Sequence, residues 1–145
     1  MEKIKIAKGF RNRVNGEPDL SIISRQKSKT LALSAGDIPH IRPKLLVKKG
    51  DRVRTGQPLF CDKRDLSVMY VSPGTGRVDE IRFGERRRLL EVVVAREAED
   101  EFEAFEPVSP DGIDSLSRDS LVERLKQGGV WQGLRQLPFR DTADP

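Results

Sequence analysis

Few side chains in this sequence have the type and spacing to do chemistry. Cys61 is its one cysteine and His40 its one histidine. A single thiol cannot close an internal disulfide, so a reducing compartment is its natural setting. With no histidine near it in the sequence, Cys61 reads as an inert buried residue rather than a nucleophile. His40 has no second His or Cys at metal-ligand spacing and reads as a surface or capping residue. Arg86, Arg87 and Arg88 could together clamp a phosphate or carboxylate. A strand, however, sends alternate side chains to opposite faces, so three consecutive arginines entering one read as a solvated hairpin shoulder. There is no cysteine cluster of the kind that holds iron–sulfur, and no G-x-G-x-x-G string. The expectation is therefore no catalytic, cofactor-binding or metal-binding residue in the chain.

The elements that must carry these residues are organised around Gly50–Ile81, GDRVRTGQPLFCDKRDLSVMYVSPGTGRVDEI. Short β-branched or aromatic pieces (Val53, Leu59-Phe60, Val68–Val71, Val78 and Ile81) are separated by Gly and Pro every several residues. That pattern marks a compact unit of tight hairpins. Gly50, Gly56, Gly74 and Gly76 fall where turns need a positive φ.

Upstream, Lys3–Ile6 alternates and reads as a half-buried strand ending at Gly9, followed by a loop with Asn15-Gly16 and Glu17-Pro18 turns. Leu20–Ile23 and Thr30–Leu33 are short strand candidates, and Leu45–Val47 is apolar. Downstream, Arg82–Glu85 is a turn and Leu89–Val94 a strand. Ala95–Pro107 is acidic and reads as a linker or exposed edge. Ser117 is placed to cap a helix with Leu121, Val122 and Leu125 on one face, ended at Gly128-Gly129. A second short segment runs from Trp131 to Leu137 and stops at Pro138. The last residues, Asp141–Pro145, show no sign of structure.

Composition bounds the function. The chain has 145 residues, 34% of them charged and 6% aromatic, which suits a small domain plus part of another. No apolar run approaches the roughly 20 residues that span a bilayer, and the first ten residues lack the apolar core of a signal peptide. Charge is uneven: residues 1–60 hold 14 basic and 5 acidic side chains, residues 98–145 hold 5 and 11. The basic residues are spread over strands and turns rather than along a recognition helix. They read as a solvated face or a docking surface for an acidic partner, not a nucleic-acid footprint.

The strings V-K-K-G-D-x-V-x-x-G-Q-P-L-F and S-P-x-x-G-x-V resemble a biotinyl/lipoyl-type domain, the barrel-sandwich hybrid. The resemblance extends further. I-K-I-x-K-G at Ile4–Gly9, R-P-K-L-L-V-K-K-G-D-x-V-x-x-G-Q-P-L-F-x-D-K at Arg42–Lys63, S-P-x-x-G-x-V-x-x-I-x-x-G-E-R-R at Ser72–Arg87 and V-V-V at Val92–Val94 come first. L-S-R near Leu116 and G-x-W-x-x-L-R-x-x-P-F at Gly129–Phe139 follow. Together they are similar to the N-terminal third of the NqrA family, the A subunits of the sodium-translocating NADH:quinone reductases. The resemblance implies a mainly β barrel-sandwich hybrid over residues 1–97, an acidic linker over 98–114 and a helical segment over 115–145. That segment would begin an α/β domain in a longer protein. It implies a peripheral, non-catalytic subunit on the cytoplasmic side of the bacterial inner membrane. The partners are the other subunits, and the family is associated with quinone and with assembly. NADH, flavins, iron–sulfur centres and ubiquinone belong to the complex, not to this chain. In a related electron-transfer family a glycine-rich loop after the corresponding helix cradles flavin phosphate. Here bulky Trp131, Leu134 and Arg135 stand in its place, which argues against flavin binding.

A carrier domain modified on a lysine is the alternative reading, and a standalone nucleic-acid-binding barrel a third. Lys63 in Asp62-Lys63 copies the D-K pair of lipoyl domains, whose modified lysine sits at a hairpin tip. The midpoint between Leu59 and Ser72 falls near Asp65-Leu66, however, where there is no lysine. Lys63 is expected on the ascending side of the hairpin, in an exposed ion pair beside Asp62 and Asp65.

Overall fold

The computed structural model describes Gly9, Gly16, residues 19–21 and residues 28–144. The strand expected at Lys3–Ile6 lies outside the described residues, as do Ile22 and Ile23 of the Leu20–Ile23 candidate. In chain order the elements are β1 (Thr30–Ser34), β2 (Pro43–Leu45), β3 (Arg52–Val53), β4 (Pro58–Asp62), β5 (Met69–Val71), β6 (Gly76–Phe83) and β7 (Leu89–Arg96). Helix α1 (Arg118–Gln127) and two short strands, β8 (Arg135–Gln136) and β9 (Asp141–Thr142), follow.

Two curled antiparallel sheets enclose one interior. The first has the order β1-β7-β6-β3 and the second β2-β4-β5. Alternation sets the register: Leu31 and Leu33 of β1 pair with Val94 and Val92 of β7, and across the β6–β7 pair Val78 and Ile81 meet the same two valines. A one-residue slip would turn these side chains out to solvent, so the apolar pattern fixes the pairing. Val53, Leu59, Phe60, Tyr70, Val92 and Val94 are fully buried between the sheets. Phe60 and Tyr70 stack with ring centroids 4.9 Å apart.

The four glycines serve two purposes. Gly50 and Gly56 adopt φ of 91° and 89°, the left-handed turns expected of them. Gly74 and Gly76 permit close approach instead. Gly76 is the first residue of β6, and a Cβ there would collide with the carbonyl oxygen of Ala95.

The acidic run is bound to the barrel over its first half. Thr55 donates its N–H to Glu101 O (2.9 Å), and Glu103 N–H returns to Thr55 O (2.8 Å). Arg52 grips Glu97 and Glu101 at 2.9 and 2.6 Å. These hydrogen bonds hold both carboxyls below the usual glutamate range.

Ser117 caps α1 as expected, its hydroxyl accepting from Ser120 N–H at 3.2 Å. The helix closes with Val130 N–H to Leu125 O (2.9 Å) and Gly129 N–H to Lys126 O (3.2 Å), with Gly129 at φ 71°. This paired closure is the Schellman motif. Beyond it the structure corrects the reading of the last residues as unstructured. Arg135 and Gln136 pair with Thr142 and Asp141 in a small hairpin. Trp131 joins the barrel core and donates its indole N–H to Ala143 O at 2.9 Å.

Candidate functional site

Of the three arginines singled out in the sequence, Arg87 and Arg88 come together in a place that strand alternation would not give them, and Arg86 does not line it. Arg86 and Arg87 stand at φ 53° and 57°, between the ends of β6 and β7. Gly84 N–H reaches Arg88 O (2.8 Å) and Arg88 N–H reaches Glu85 O (3.1 Å). Two consecutive left-handed residues in a tight hairpin make a type I′ turn, whose twist suits the flanking strands and whose preferred sequence is Asn-Gly. An L-side chain held left-handed costs roughly 1–2 kcal/mol, so Arg-Arg is an expensive choice at these two positions. The turn is not strand, so the alternation argument does not apply. Arg87 and Arg88 both line one cleft.

The opposite wall is built by β2 and the end of β4. Antiparallel pairing sets Pro43 against Asp62 and Lys44 against Cys61. Lys63, the next residue, donates its N–H to Arg42 O at 2.8 Å. Arg42, Lys44, Lys63, Arg87 and Arg88 therefore border a cleft of about 370 Å³. Its apolar lining includes Leu45, Leu89 and the ring of Phe83, which is 48% exposed.

Among the described residues no carboxylate lines this cleft. Elsewhere Arg52, Arg54, Arg64, Arg82, Arg96, Arg124 and Lys126 each face an Asp or Glu at ion-pairing distance. Among the described residues none of the five cleft cations has such a partner. The Arg88 guanidinium donates to a backbone carbonyl, Gly36 O, at 3.1 Å. Like charges gathered without counter-charge repel, and the arrangement gains from a bound anion.

Lys63 corrects one expectation. It lies exposed at the end of β4, on the ascending side of the β4–β5 connection, but Arg64 takes Asp62 (3.0 Å) and Lys126 takes Asp65 (2.6 Å). The ion pair expected for Lys63 does not form. Cys61 is buried, its Sγ 3.9 Å from Lys44 O, and burial pushes its thiol up despite the nearby Lys44. His40 is exposed at φ 56°. Among the described residues no group of three or more His, Cys, Asp or Glu could hold a metal ion, and no helix is long and apolar enough to cross a membrane.

Sequence reasoning misses the cleft because it places the arginines on a strand. No local signal marks the turn, because Arg86-Arg87 stand where Asn-Gly would announce it.

Two curled sheets joined through glycine-framed hairpins, with a buried stacked pair between them, define the barrel-sandwich hybrid class. A family model described as the NqrA N-terminal barrel-sandwich hybrid domain matches residues 4–97, and the chain belongs to that family. It is similar to the A subunit of the Na(+)-translocating NADH-quinone reductase of Pseudomonas aeruginosa, with 36% identity over 142 residues covering 98% of this chain and 32% of the relative. The protein of the same name from Neisseria meningitidis is 37% identical over 136 residues, 94% of this chain and 30% of its own. That of Saccharophagus degradans is 39% identical over 136 residues, with the same coverage. The chain thus spans about a third of the length of the curated relatives it matches.

Proposed function

We propose that this chain is the N-terminal part of a non-catalytic, peripheral subunit of a sodium-translocating NADH-quinone reductase. In this reading it serves assembly, contacts other subunits and quinone, and faces the cytoplasmic side of the membrane. The observation that carries the reading is the alignment with these reductase relatives over 94–98% of the chain, which takes in the acidic run and the helical segment as well as the barrel. The flavin-phosphate position supports the non-catalytic part: a bulky Trp131 side chain packed into the barrel core stands there in place of a glycine.

The purified chain is expected to be colourless and unable to pass electrons from NADH to added quinone. A tagged full-length protein is expected to co-purify with the remaining subunits. Stoichiometric flavin absorbance, or turnover above a blank, would overturn the non-catalytic reading. A full-length protein that co-purifies with none of them would overturn the complex. The carrier alternative requires a lysine at the β4–β5 tip, where Asp65 is instead engaged by Lys126. Intact mass after co-expression with lipoyl and biotin ligases is expected to be unchanged, and an added mass mapped to Lys63 would revive the carrier.

A further inference from the structure

We propose that the cleft between β2 and the β6–β7 turn binds a soluble ligand carrying a diphosphate joined to an aromatic ring, of which a nucleoside diphosphate is the simplest probe. This does not depend on membership of the reductase complex. Three separate segments bring Arg42, Lys44, Lys63, Arg87 and Arg88 to one cleft that no acidic side chain lines among the described residues. Five cations exceed what a single carboxylate can balance and suit a multiply charged anion. Guanidinium groups present planar pairs of N–H donors that match phosphate oxygens two at a time, while the lysines add compact charges. The half-exposed ring of Phe83 borders the same space, and an aromatic base can lie against it. The volume of about 370 Å³ is within the roughly 300–1,000 Å³ of small-molecule pockets, which favours a compact ligand over a peptide or a membrane surface.

The turn adds an independent observation. Arg86 and Arg87 hold a conformation that glycine would adopt freely. Strain of this kind persists where surrounding structure enforces it, and it clusters at ligand clamps. It also separates binding from folding. Arg87→Gly removes a guanidinium from the cleft and relieves the backbone, so it is expected to keep or raise the melting temperature while weakening the ligand.

The test is calorimetric and NMR titration of the chain with ADP, pyrophosphate and adenosine at about 0.15 M salt, where weak surface attraction is screened within about 8 Å. ADP is expected to saturate, with shifts centred on Phe83, Lys44 and Arg87. Pyrophosphate is expected to bind more weakly and adenosine not measurably. Arg87→Gly should weaken ADP at least tenfold without loss of stability, and Phe83→Ala should abolish the preference for ADP over pyrophosphate. The proposal is overturned by the absence of saturable ADP binding at millimolar concentration, by equal affinity in Arg87→Gly, or by shifts that map away from the cleft. Binding of vesicles containing phosphatidic acid, or of an acidic peptide, by protein that ignores ADP would also overturn it.

Discussion

Between Thr30 and Glu97 the chain buries a continuous apolar interior from both sheets, whereas between Pro110 and Asp144 the one apolar side chain it buries is Trp131. Val130, Leu134, Leu137 and Phe139 of the second region remain exposed. What fastens it to the barrel is specific rather than extensive. Gly129 lies close against Val71 of β5, Lys126 reaches Asp65, and the Trp131 ring stands under the Lys126 ammonium, 5.9 Å from its nitrogen to the ring centroid. The barrel is therefore expected to melt as a unit, while the second region can open alone at a lower free energy.

The largest effect should come from inside the barrel. Phe60→Ala removes one ring of the stacked pair from a site with no exposed surface, and it is expected to cost about 3–5 kcal/mol. Because both sheets share that interior, β4 and β5 amides should lose hydrogen-exchange protection together with those of β6 and β7. Loss confined to the second sheet would show that the two sheets are separate cooperative units.

A smaller, regional effect is expected at the junction. A Cβ on Gly129 would meet Val71 Cγ2 at 2.8 Å while the backbone sits at φ 71°, so Gly129→Ala should cost roughly 1–3 kcal/mol. That loss should fall on α1 and the β8–β9 hairpin, with β6 and β7 amides still protected. Gly133→Ala, where the added carbon meets nothing within 4 Å, serves as the control. Equal loss in barrel and helix would erase the distinction between the regions.

The same contrast governs what the sequence discloses. Residues 43–94 carry strong local signals, because half-buried strands alternate and left-handed turns select glycine, as Gly50 and Gly56 confirm. Ser117 and Gly129 mark the ends of α1 for equally local reasons. The β8–β9 hairpin leaves no such mark, since strands of two residues have no period to read, and it depends on Trp131 and Ala143 meeting in space. Gly76 reads as a turn glycine, but its need comes from the carbonyl of Ala95 in a strand 19 residues away. The basic cleft is hidden for a related reason. Its cations are scattered in the chain, and the turn that gathers two of them uses arginine where local preference would put Asn-Gly.

The finest expected effect is a pH dependence of the fastening between the regions. Burial raises the affinity of the Asp65 carboxyl for protons, but Lys126 Nζ at 2.6 Å and the Ser67 hydroxyl and N–H at 2.5 and 2.9 Å outweigh it. The net result holds Asp65 below its ordinary value. A carboxyl that releases its proton more readily when folded contributes stability above its unfolded pKa, and that stability is lost as pH falls through the folded one. The window therefore lies below roughly pH 4. The Asp65 side chain is 42% exposed, so solvent screening limits the contribution to about 0–1 kcal/mol. Trp131 sits beside the pair and reports it directly. From pH 6 to 3 its fluorescence and the α1 amide protection should decline in the wild type before the barrel melts, while Asp65→Asn should start lower and stay flat over the same range. Identical acid profiles in the two proteins would mean that the Lys126–Asp65 pair adds nothing to a fastening made by Trp131, Gly129 and the packing of Val122 and Leu125 against the core.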